Sequence, residues 1–235
     1  MKVSENTKVR DNVMKGLAGE RFTPKTYSIT RLVQCPRKTY YLMKGMRAVT
    51  TDSGNLSMAR GRGIGREIQT TFEKTEVRVE KDRIRGDIDA IDERIVEVYS
   101  TNMSLGKVQK DEAKVPEVFR KKVKQLMAYC YMTGVKTGDL LVYFMSGDYT
   151  RFTEALGIKV YTGVQPELKC WTLEFTNEEL EENWKGILNN KEEIELALKS
   201  GRPPLIAGEK WECSYCAYSY ICLGEEVNEE KKSEL

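Results

Sequence analysis

Ile84-Arg85-Gly86-Asp87-Ile88-Asp89-Ala90-Ile91, followed after the charged turn Asp92-Glu93 by Arg94-Ile95-Val96-Glu97-Val98-Tyr99, alternates polar and apolar residues. A period of two specifies half-buried β-strands, and two such runs this closely spaced specify a hairpin. Upstream, Glu76-Val77-Arg78-Val79-Glu80 carries the same period, so three strands form a meander. Alternation places Asp87 with Asp89 on one face, and Glu97 with Tyr99. Asp89 and Glu97, on neighbouring strands, can converge at one end of the sheet. Paired carboxylates so placed hold a hard divalent cation, magnesium or manganese, for phosphodiester hydrolysis. The polar face of an ordinary antiparallel hairpin has the same pattern, and alternation alone does not separate the two.

Outward from this meander the period changes. Ser28-Ile29-Thr30-Arg31-Leu32-Val33 opens a helical pattern that Tyr40-Tyr41-Leu42-Met43 continues, residues 50–57 read as a loop, and a helix is expected from about Ala59 to Glu73. Residues 116–134 are helical, 139–145 and 169–175 are strands, and a capped helix runs from Thr176 to about Lys199. Gly201-Arg202-Pro203-Pro204 then breaks the chain. The last twelve residues, from Gly224, hold five Glu and read as an acidic tail. The expected class is α/β, a mixed central β-sheet flanked by helices.

The 235 residues contain no histidine, which excludes imidazole bases, imidazole metal ligands and the usual serine or cysteine triads. Charge is uneven. Residues 1–66 hold 14 Lys and Arg against 4 Asp and Glu, a balance of +10, while the remainder stands at −8. A basic first third suits a phosphate-bearing partner. Arg60, Arg62 and Arg66, around what reads as a glycine-rich helix start, are candidate phosphate contacts, as is the run Arg120-Lys121-Lys122-Val123-Lys124. No stretch approaches the roughly 20 apolar residues of a membrane span, and the first 22 residues have no signal-peptide pattern. A cytoplasmic protein without membrane contact is expected.

Six cysteines stand at 35, 130, 170, 213, 216 and 222. Cys213, Cys216 and Cys222 form C-x2-C-x5-C, a spacing that in such a chain points to a metal before a disulfide. A fourth thiolate is needed. Cys35 lies in a polar, turn-like context before Pro36, whereas Cys130 sits in an apolar helix and Cys170 in an alternating strand, where thiols act as small buried hydrophobes. One cysteine plus a cluster of three is more typical of a 4Fe-4S cluster than of structural zinc, which remains the alternative.

Taken together, these residues resemble the CRISPR-associated Cas-four exonucleases, in the RecB-like branch of the PD-(D/E)xK nuclease superfamily. The resemblance matches Cys35, Cys213, Cys216 and Cys222 to that family's 4Fe-4S ligands. Gly86-Asp87-Ile88-Asp89 matches its G-x-x-D, Glu97-Val98-Tyr99 its E-x-K, and Gln125-Leu126-Met127-Ala128-Tyr129 its Q-x-x-x-Y. It implies a restriction-endonuclease-like core over 61–199 within a single domain of 1–235. It also implies an iron-sulfur lobe from 28–60 and 200–223, Asp89 and Glu97 as Mg or Mn ligands, and Gln125, Tyr129 and Tyr99 at the active site. DNA, as single strands or ends, is the implied partner, together with CRISPR adaptation proteins.

Two positions depart from the pattern. The family's metal-binding His falls on Gly65 or Arg66, and its E-x-K lysine is Tyr99. Loss of one positioned charge costs about 3 kcal/mol, roughly a hundredfold in rate. The leading expectation is therefore a DNA-binding nuclease relative with an impaired or lost centre, serving DNA end processing, CRISPR adaptation or a mobile genetic element. An active Mg- or Mn-dependent single-stranded DNA exonuclease with a lysine relocated to Lys121 or Lys122 is the second reading, and a metal-stapled assembly protein without DNA binding the third.

Overall fold

Strand-forming alternation is realised at the meander. In the computed structural model, which describes residues 7–18, 24–109, 111, 114–146, 166–206 and 208–224, the elements in chain order begin with α1 (Thr7–Ala18), β1 (Tyr27–Ser28), α2 (Ile29–Leu32) and α3 (Pro36–Met43). Next come α4 (Asp52–Gln69), β2 (Lys74–Lys81), β3 (Ile84–Ile91), β4 (Ile95–Thr101), α5 (Leu105–Val108) and, after a 3-10 turn at Glu117–Phe119, α6 (Arg120–Thr133). The chain continues through β5 (Thr137–Phe144), β6 (Glu167–Glu174), α7 (Asn177–Ser200), α8 (Lys210–Cys213) and α9 (Ser219–Cys222). The acidic tail after Gly224 lies outside the described residues.

The chain divides into two units. One comprises Thr26–Val33 and Gly63–Asn189, and the other the described parts of Met1–Lys25, Gln34–Arg62 and Asn190–Leu235. The first holds the sheet, ordered β1-β3-β4-β5-β6 with β2 along the other edge of β3. β2, β3 and β4 run antiparallel, β4 and β5 pair in parallel, and β6 returns antiparallel, so the sheet is mixed. The parallel β4–β5 pair needs a crossover, and α6 supplies it. Leu126, Ala128, Tyr129 and Cys130 of α6 are buried with Ile95, Leu140 and Val142 of the sheet. α6 ends at Gly134, whose φ of 76° closes the helix in the left-handed region.

In the second unit the ring of Tyr41 stacks on Tyr218 at 6.0 Å, and the Tyr40 hydroxyl donates to the Gly201 carbonyl at 2.8 Å. The Val49 amide donates to the Ala217 carbonyl at 2.9 Å, and the Tyr220 hydroxyl to that of Arg47 at 2.8 Å. These bonds join segments more than 160 residues apart in sequence without a long apolar run in either.

The expected helix at 59–73 begins earlier, at Asp52. Loop-forming residues 52–57 extend the helix instead, so Arg60, Arg62 and Arg66 stand exposed on its interior turns. The idea that helix-start amides there bind phosphate is thereby corrected, because amides inside a helix are already bonded within it. Cys130 is buried as expected, whereas Cys170 is exposed on the outward face of the last strand.

Candidate active site

Hairpin geometry creates the site. β3 and β4 pair only at Ala90↔Val96 and Ile91↔Ile95, next to the turn. Extending that register by one step sets Asp89 against Glu97, but the ladder stops there and the strands part. The Asp89 carboxylate takes up the freed amide of Val98, which donates to its Oδ2 at 2.9 Å. Its Oδ1 accepts from Gln69 Nε2 at 3.4 Å. Asp87, one step along the same face, is instead held in exposed ion pairs with Arg78 and Arg85.

Glu97 is 1% exposed. Its Oε1 accepts from Lys122 Nζ at 2.9 Å, and its carboxyl hydrogen-bonds the Asp89 side chain. Lys122 arrives from α6. Residues 122, 125 and 129 share one helix face by their spacing of three and four. The Lys122 ammonium also donates to Gln125 Oε1 at 3.3 Å, and Gln125 Nε2 donates to the Tyr129 hydroxyl at 3.0 Å. Tyr129 in turn bonds the Thr30 side chain. Packing fixes the far end of this chain of bonds: a Cβ at Gly86 would lie 2.8 Å from the Tyr129 ring. Gln125 is 5% exposed and Tyr129 fully buried, and the two are bonded in series behind Lys122.

Tyr99 stands at the E-x-K lysine position, and Lys122 Nζ lies 5.0 Å over its ring. The tyrosine thus supports, by cation–π attraction, the lysine that α6 supplies. Of Lys121 and Lys122, it is Lys122 that reaches the carboxylates. Gly65 has open space around its missing Cβ, and Arg66 is exposed, so neither replaces the histidine ligand. One turn further along α4, Gln69 reaches Asp89 instead. Its role was not foreseen, although the four-residue spacing from Gly65 was a signal available in the sequence.

Charge in this pocket is coupled. Burial, reinforced by the nearby charge of Asp89, pushes the Glu97 carboxyl up to about 8. Burial also raises Asp89. Desolvation alone would lower Lys122, but Glu97 and Asp89 together outweigh it and keep the ammonium charged. Asp89 and Glu97, once ionised, fit one divalent cation, which would take the place of the proton they share. Among the described residues no group of three or more Cys, Asp or Glu side chains is drawn together tightly enough to hold a metal ion by itself.

In the other unit Cys35, Cys213, Cys216 and Cys222 line one cavity with Tyr41 and Tyr218. A Cβ at Gly208 would stand 3.1 Å from Cys35 Cβ and 3.4 Å from its Sγ, so the glycine leaves Cys35 room to face the others.

The described residues contain no helix long and apolar enough to cross a membrane. Among solved structures, the crystal structure of SSO0001 shares the fold, with a TM-score of 0.56 and 16% identity over 93% of this chain and 98% of that one. An alkaline exonuclease from Laribacter hongkongensis superposes more loosely, with a TM-score of 0.48 and 14% identity over 79% of this chain and 95% of that one. A phage related exonuclease from Haemophilus somnus gives a TM-score of 0.44 and 14% identity over 71% and 81%. No family model and no curated protein matches the chain.

Proposed function

We propose that this protein is a divalent-cation-dependent DNA nuclease of the PD-(D/E)xK type, with a working centre built from Asp89, Glu97 and Lys122. One observation carries the reading: Lys122 Nζ stands 2.9 Å from the fully buried Glu97 carboxyl, which also meets Asp89. Two acidic groups and an ammonium are costly to bury together unless they serve a common charged ligand. Asp89 and Glu97 would hold magnesium or manganese, which when bound supplies positive charge at the phosphate and an acidified water. Lys122 offers a fixed charge to the scissile phosphate, Tyr99 backs it, and Gln125 with Tyr129 orients it. Val98 and Gln69 fix the Asp89 carboxylate. The reading of an impaired centre rests on Tyr99 and on the missing histidine at Gly65 or Arg66, and Lys122 would answer the first of these.

The same resemblance extends the reading to a protein of the Cas-four type that acts on DNA ends or single strands, in CRISPR adaptation or in a mobile genetic element. A 4Fe-4S cluster on Cys35, Cys213, Cys216 and Cys222 belongs to it. The four cysteines line one cavity, and one cysteine with a cluster of three is the arrangement typical of such a cluster.

Cleavage of end-labelled single-stranded DNA with manganese tests the nuclease reading. The protein is expected to cut, and Asp89→Ala and Glu97→Ala to abolish cutting. DNA retention without cutting would return the chain to a binding role, and absence of salt-sensitive DNA binding to an assembly role.

A further inference from the structure

We propose that Arg37 is a positioning residue for Cys222, locking this thiolate in place and setting the reduction potential of the cluster it helps to hold. The proposal rests on the iron-sulfur reading above. Arg37 follows Cys35 by two residues, in the first turn of α3. Its Nη1 donates to Cys222 Sγ at 3.7 Å, its Nε to the Pro204 carbonyl at 2.8 Å, and its Nη2 to the Leu205 carbonyl at 3.3 Å. A planar guanidinium with three of its donors engaged has one position available to it. One helical turn on, Tyr41 hydrogen-bonds the same Cys222 side chain. Among the described residues the other three cysteines of the cavity receive no such side-chain donor. Cys222 is thus singled out by a cation and a hydroxyl.

Hydrogen bonds to a ligating sulfur draw electron density from it, and a nearby cation favours the more negative, reduced cluster. When the cluster takes one electron from dithionite its net charge falls by one, and Arg37 stabilises that state. A substitution that deletes both the charge and the fork should therefore move the potential, whereas one that keeps the charge should move it less. A purely packing role for Arg37 predicts neither ordering.

The full chain, wild type and Arg37→Gln, Arg37→Lys and Tyr41→Phe, is purified anaerobically. Visible absorption follows bleaching by a chelator, and a dithionite titration read by electron paramagnetic resonance gives the potential. Arg37→Gln is expected to titrate at more negative potential and to bleach several-fold faster. Arg37→Lys should recover part of the potential but not the slow bleaching, and Tyr41→Phe should shift the potential in the same direction by less. An Arg37→Gln protein, or a Tyr41→Phe protein should Arg37→Gln not fold, with wild-type potential and bleaching overturns the proposal. A colourless wild type overturns the iron-sulfur reading beneath it.

Discussion

Glu97 concentrates the chemistry of the site in one carboxyl group. Held near 8 by burial, it keeps its proton at neutral pH in the metal-free protein. Ligation requires the ionised form, so cation binding must release that proton. Manganese affinity is expected to rise by about tenfold per pH unit below pH 8 and to flatten above it, measured by isothermal titration between pH 6 and 9. Stability follows the opposite slope. A carboxyl whose folded value exceeds its unfolded value of about 4.3 stabilises the fold at low pH and loses that contribution as pH rises through 8. Chemical denaturation without metal should show this decline between about pH 5 and 8, and saturating manganese should remove it.

Elements decide what each residue can reach. α6 sets Lys122, Gln125 and Tyr129 on one face, and Tyr129 packs where Gly86 has no side chain. Gly86→Ala would drive a methyl into a rigid buried ring, with an expected loss of about 1–3 kcal/mol in urea unfolding. The same change should lower cleavage beyond its effect on folding, since the chain from Tyr129 through Gln125 ends at Lys122. Legibility from sequence follows the same lines. The clean alternation of β3 specifies its actual bounds Ile84–Ile91 and marks the two carboxylates as a pair. The parting of β3 from β4 was not legible, because it arises where pairing is lost and not in any side-chain pattern. Gly86 read as a motif letter, and only the approach of Tyr129 explains it. The start of α4 is hidden in the sequence because Asp52, Ser53, Gly54 and Asn55 are turn formers by composition, yet Asn55 is buried and bonds Thr50. Lys122 was visible as one of two lysines at the right spacing, and the helix rotation that chooses it was not.

At the scale of the molecule, a basic first third and the exposed arginines of α4 would hold the DNA of the proposed function. Arg62 and Arg66, one turn apart, share a face of α4. If each neutralises one phosphate, Arg62→Gln with Arg66→Gln is expected to reduce the slope of log affinity against log salt by about 1.4 on single-stranded DNA, measured by fluorescence anisotropy. In the proposed reaction, cleavage depends on a lysine that α6 delivers to a hairpin whose own lysine position holds tyrosine. The direct measurement is manganese-dependent cleavage of end-labelled single-stranded DNA by wild type and Lys122→Met, with manganese binding measured on both. Efficient cleavage by wild type, a loss of about a hundredfold or more in Lys122→Met, and retained manganese binding are predicted. Equal cleavage by the two proteins, or none by a folded, manganese-bound wild type, would contradict a catalytic lysine at this position.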